Sequence, residues 1–182
     1  MTLVGPSQKS WRLLLLLILW APASALGQTQ PAIALRVTGD VPTHLALSVA
    51  DIAKFQHQTI HATDEKGTAV EYEGVPVAEI LAKAGAPFGK ELKGPNMAEG
   101  MVACAPDGYQ VLFSLAEFDP AFSDRVIILA DSRDGKPLDA REGPLRFIVP
   151  GDKRHARWIR GVRTLEVFRA AGETRFASAY RH

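Results

Sequence analysis

Apolar and polar residues alternate through Ile33–Val37 (IALRV), and the same period of two returns in Gln58–Thr63 (QTIHAT) and Ala69–Glu73 (AVEYE). On a pleated backbone that spacing sends one set of side chains to a core and the other to water, so each stretch predicts a half-buried strand. Glu65-Lys66-Gly67 joins the last two as a β-hairpin. The period then changes. Val77, Ile80, Leu81 and Ala84 fall on one helical face, Gly74-Val75-Pro76 introduces them, and Gly85 provides the left-handed residue on which such helices end. Ser48 with Asp51 and Ser114 with Glu117 have capping-box spacing and predict two further short helical turns. Met101–Ala105 and Tyr109–Phe113 flank an Asp107-Gly108 turn as a strand pair, and Phe88–Gly100 reads as a polar loop. Arg125–Ala130, Leu145–Val149 and Val162–Phe168 read as further strands, with a turn at Asp134-Gly135. Strands outnumber helices, and the helices are short.

The N-terminus departs from this pattern. Lys9 and Arg12 precede the unbroken apolar run Leu13–Trp20, and Ala23-Ser24-Ala25 follows. A basic region, a short apolar core and an Ala-x-Ala site in that order predict a secretory signal over residues 1–25, cleaved after Ala25. The run is well below the roughly 20 residues a membrane helix needs, and Pro22 follows at once. The expected mature chain is therefore exported, most simply to a bacterial periplasm, with no membrane span. It consists of one domain over residues 26–170 and a polar tail over 171–182.

Composition narrows the chemistry. Lys and Arg number 21 against 20 Asp and Glu, and removal of Lys9 and Arg12 with the signal brings the mature chain close to neutrality, which argues against nucleic-acid binding. The chain has one cysteine, Cys104, so no intramolecular disulfide can form. Cys104 is either a small apolar residue on its strand or a reactive thiol and metal ligand. His44, His57, His61, His155 and His182 are scattered, with no zinc-type pairing among them. A serine-nucleophile elbow, a phosphate-binding glycine loop and a dinucleotide fingerprint are all absent. The segment Gly143–Val167 joins two strands through a loop carrying Lys153, Arg154, His155, Arg157 and Arg160. Such a loop either binds an anion through point charges and guanidinium forks or is a solvated connection whose arginine stems cover Trp158.

The succession YEGVPVAEILAKAG, DGYQVLFSLAEF, LADSRDGKPL and GPLRFIVPGDKRHARWIRGVRTLEV resembles the molybdopterin-binding oxidoreductase domain of the sulfite oxidase type, over about Ile33 to Phe168. The resemblance implies a mixed α+β fold, mainly β, around a mononuclear molybdenum on a pterin dithiolene, and oxygen-atom or electron-transfer redox chemistry. It assigns the pterin phosphate to Arg146, Lys153, Arg154 and Arg157. It places the metal-ligating cysteine in the segment matched here by Gln58–Asp64, which contains none. His61 is the candidate metal ligand left in that segment, with a solvent-facing position as its alternative, and Tyr109 roughly overlies the family's active-site tyrosine. Two readings follow: an exported oxidoreductase that ligates molybdopterin atypically, or a cofactor-free module on the same fold that binds a small anionic ligand or a periplasmic protein partner.

Overall fold

The computed structural model describes residues 1–2 and 32–170. Apart from its first two residues the expected signal sequence lies outside the described residues, as does the tail 171–182. Two five-stranded sheets form the scaffold. The first contains β1 (Ile33–Gly39), β2 (Leu45–Ser48), β5 (Glu99–Cys104), β6 (Gln110–Ser114) and β10 (Thr164–Arg169), in the order β2-β1-β10-β5-β6. Its β1–β10 pair is parallel and its other pairs are antiparallel. The second runs β3 (Gln58–Thr63), β4 (Ala69–Pro76), β7 (Ile128–Arg133) and β8 (Lys136–Pro137), with β9 (Arg146–Ile148) also paired to β7. The fold is mixed and mainly β, as the alternating pattern and the family resemblance both imply. Among the described residues no helix is long and apolar enough to cross a membrane.

Local chemistry explains the helices. Ser48 caps α1 (Val49–Ile52): its side chain accepts from the Asp51 backbone N–H while the Asp51 carboxylate accepts from the Ser48 backbone N–H. α2 (Val77–Ala84) buries Val77, Ile80, Leu81 and Ala84 and stops at Gly85, whose φ of 89° is the left-handed conformation expected of it. Ser114 and Glu117 form the second capping box, over a single 3-10 turn, Leu115–Glu117.

The apolar faces of both sheets and α2 share one core, in which Phe113 of β6 stacks on Phe147 of β9 at 5.3 Å. Gly74 controls how closely β4 approaches β7. A Cβ at this position would lie 2.3 Å from the Leu129 carbonyl oxygen and 2.4 Å from Ala130 Cα, and the strand register shifts between Glu73 and Gly74. Only glycine permits that contact. The contact places Tyr72 opposite Arg133 on β7.

Several expected boundaries move. The apolar run expected as a strand over Arg125–Ala130 is strand only from Ile128, and it continues to Arg133. Arg125 is held in the preceding loop by Glu117 and Asp152. Leu45–Ser48 forms a strand that its four residues do not advertise. Phe88–Gly100 is not a plain loop: it contains 3-10 turns at Gly89–Glu91 and Gly94–Ala98, and β5 begins at Glu99. Cys104 is half-buried rather than a core residue, because strand alternation gives the inward positions to Met101 and Ala103. Burial and the neighbouring Glu166 charge push its thiol pKa up, away from a reactive thiolate.

Candidate functional site

Two chain segments meet over the end of the second sheet: the β3–β4 turn and the loop from Gly151 to Arg160. The turn is organised by Asp64, whose Oδ1 accepts from the Lys66 and Thr68 backbone N–H groups, while Gly67 adopts a φ of 82°. The other oxygen, Oδ2, accepts from Arg133 Nη2 at 2.7 Å. This arrangement aims Glu65 inward. Its Oε1 accepts from Arg146 Nη2 at 2.5 Å and from Arg160 Nη2 at 2.8 Å.

Arg146 is the largest fully buried side chain of the described residues. Its guanidinium lies 5.6 Å from the Tyr72 ring and 5.7 Å from the Trp158 ring. It also donates through Nη1 to Glu142 at 2.7 Å and to the Tyr72 hydroxyl at 3.2 Å, whereas its Nε has no partner. Glu142 further accepts from Arg133 at 3.2 Å. Three arginines and three carboxylates thus close a network drawn from five segments of chain. Burial alone would raise the pKa of Glu65, but its own backbone N–H, Arg160 and Arg146 outweigh burial and hold it at about 2.

The second segment is braced differently. Arg157 grips Asp152 through two parallel bonds, Nε to Oδ2 and Nη2 to Oδ1, each 2.8 Å, and reaches Glu117 at 2.7 Å. This depresses the Asp152 pKa, chiefly through the Arg157 hydrogen bonds. The Trp158 indole N–H donates to the Val149 carbonyl at 2.9 Å, and the His155 ring stacks on it at 4.0 Å. Tyr109, outside the strand expected for it, reaches across to donate its hydroxyl to the Ala156 carbonyl at 2.7 Å. Glu65, Tyr109, His155, Trp158 and Arg160 line a cleft of about 240 Å3. A second, wider cavity of about 570 Å3, which Glu65 and His155 also line, is edged by Lys153 and Arg154.

The structure therefore separates the four basic residues that the resemblance grouped at a phosphate. Arg146 is withdrawn into the interior with both Nη atoms committed to carboxylates. Arg157 is saturated by Asp152 and Glu117. Lys153 and Arg154 are exposed at the cavity rim, and among the described residues neither is ion-paired. His61 stands in solvent with 80% of its side chain exposed, 3.7 Å from Glu71, so its alternative, a solvent-facing position, is the one observed. No group of three or more metal-ligating side chains occurs among the described residues, and Cys104 lines none of the cavities described here. The cations at the cavity rim are Lys153 and Arg154, and no cysteine lies among the residues lining either cavity.

A family model, the oxidoreductase molybdopterin binding domain, matches residues 25–175. The chain belongs to this family. Among solved structures, the sulfane dehydrogenase SoxCD from Paracoccus pantotrophus is similar, with a TM-score of 0.58 and 20% sequence identity. The match covers 78% of this chain and 39% of the SoxCD chain, so the present protein corresponds to well under half of that polypeptide. At this identity the likeness establishes the shared fold. No curated protein matches the chain by sequence. Within the molybdopterin-binding fold, sequence reasoning picked out the basic loop and Tyr109 but did not anticipate Glu65, Tyr72, Glu142 or the role of Arg160. An acidic pair at a hairpin turn was the available signal.

Proposed function

We propose that the protein is an exported member of the molybdopterin-binding oxidoreductase family whose cleft takes a phosphorylated, pterin-class cofactor by its phosphate and ring, with the metal not held by a protein cysteine. The observation that carries this reading is the pair Lys153 and Arg154, unpaired among the described residues, at the rim of a cavity beside the His155–Trp158 stack. Two cations at a cavity edge attract a phosphate ester, and the attraction weakens with salt. The stacked rings give a planar heterocycle a π-face, and Tyr109 holds their loop in place through Ala156. When bound, such a cofactor would supply oxygen-atom or electron-transfer chemistry. Export rests on the order of Lys9, Arg12, the apolar run and Ala23–Ala25.

Metal and pterin analysis of protein purified from its exporting host tests the proposal, together with titration of a pterin phosphate against wild type and a Lys153→Ala/Arg154→Ala variant. Stoichiometric pterin and a loss of affinity of about tenfold or more in the variant are expected. Arg157→Ala should leave binding nearly unchanged. A second reading, a cofactor-free module that binds a small ligand or a periplasmic partner, is favoured by the closure of Arg146 and Arg157 with internal carboxylates. Protein that leaves the host without pterin or molybdenum and ignores pterin phosphate would establish that reading instead.

A further inference from the structure

Glu65 lies where two arginines converge. One of its oxygens bridges two guanidinium groups from other parts of the chain, one fully buried and the other 46% exposed, while Glu65 itself sits on a turn with 39% of its side chain exposed. A buried arginine needs an anion close by, because an uncompensated charge in the interior is strongly unfavourable. Glu142 supplies one but shares it with Arg133. Without Glu65, Arg133, Arg146 and Arg160 would face only Asp64 and Glu142, the exposed Asp134 aside, and the network behind the cleft would carry one net positive charge, while Arg160 and the Asp107 carboxylate remain in the cleft lining itself. The unpartnered Nε of Arg146 shows that this guanidinium is not fully satisfied even with Glu65 in place.

We infer that Glu65 is a tethered counter-anion occupying an oxyanion seat in the cleft, and that a small ligand bearing an oxyanion enters by displacing it. The ligand would meet exposed Arg160 first and reach Arg146 as the turn swings outward. Its anionic group must present oxygens to two guanidinium groups, and its body must fit a cleft of about 240 Å3 beside Tyr109 and Trp158. Protonation does not release Glu65 at ordinary pH, since its carboxyl titrates at about 2; a competing anion does. Apparent affinity is then the intrinsic affinity reduced by the fraction of time the carboxylate is away. Glu65 would set the anion threshold of the site. The inference rests on the cleft being the binding site proposed above, but not on its ligand being a pterin.

Calorimetric titration of the full-length protein with sodium sulfate, at ionic strength held constant with chloride, tests this. Glu65→Gln keeps the side-chain shape but removes the charge, and it should bind sulfate about tenfold or more tightly than wild type. Adding Arg160→Gln should return the affinity to the wild-type level, whereas adding Lys153→Ala and Arg154→Ala should not, which separates this seat from the phosphate rim. Thermal melts check folding. If Glu65→Gln does not fold, Glu65→Asp, too short to bridge both arginines, carries the test with a smaller gain. Equal sulfate affinity in wild type and the folded variant, or a gain that survives Arg160→Gln, would overturn the inference.

Discussion

Two arginine–carboxylate networks lie on the same face of this molecule, and they differ mainly in how much water reaches them. The inner one, around Arg146, Glu142 and Glu65, has a guanidinium with no exposed surface. The outer one, Arg125 and Arg157 with Glu117 and Asp152, leaves each arginine side chain about a third exposed (30% and 31%). Their bond lengths are alike: Arg146 to Glu142 and Arg157 to Glu117 are both 2.7 Å. Distance therefore does not rank them. Desolvation does, because a charge that has lost its water depends on its partners, while a charge at the surface can fall back on solvent.

The sharpest way to break this comparison is to truncate the central arginine of each network. Arg146→Ala removes one of the two arginine partners of both Glu142 and Glu65, empties space beside Tyr72 and Trp158, and should destabilise the protein by roughly 3–5 kcal/mol, read by urea denaturation. Arg157→Ala should cost only about 1 kcal/mol, and that loss should shrink at high salt, because Asp152 and Glu117 can rehydrate. Equal losses in the two variants would show that burial is not what distinguishes the networks.

The contrast also explains how much could be read from the amino-acid sequence. The helix Val77–Ala84 was legible to the residue, since its apolar spacing and Gly85 are local signals. So were the hairpin at Gln58–Thr63 and both capping boxes. The β7 strand was misplaced because RVIILA has no alternation to mark its ends, and its first residue is drawn away by partners 8 and 27 positions distant. Composition alone revealed the basic loop. Which of its cations remain available is decided by carboxylates close in sequence, Glu142 four residues from Arg146 and Asp152 five from Arg157, together with distant ones, most plainly Glu65, which is 81 residues from Arg146. No local pattern encodes that pairing, and so Arg146, Lys153, Arg154 and Arg157 looked equivalent.

The cation of a third charge pair lies between the central arginines of the two networks in exposure and adds a variable that they lack. His57 Nδ1 faces the Phe55 carbonyl at 3.0 Å, and its Nε2 faces the Asp131 carboxylate at 2.9 Å. Both partners are acceptors, so the ring satisfies both only when each nitrogen carries a proton. Burial, the largest single influence, lowers the His57 pKa, but the Asp131 and Phe55 hydrogen bonds with the charges of Asp131 and Glu73 outweigh it, and the net shift is upward. A folded-state pKa above the unfolded value of 6.5 contributes stability that is fully present below that value. It is lost as pH rises through the folded pKa. The effect should be on the order of 1 kcal/mol or less, given that 19% of the imidazole and 27% of the Asp131 side chain remain exposed. Urea denaturation of wild type from pH 6 upward should show this fall. His57→Gln, which can still bond to Asp131 but cannot titrate, should flatten it. An unchanged pH profile in that variant would assign the loss to another group and remove His57–Asp131 from the series in which water access ranks the charge pairs.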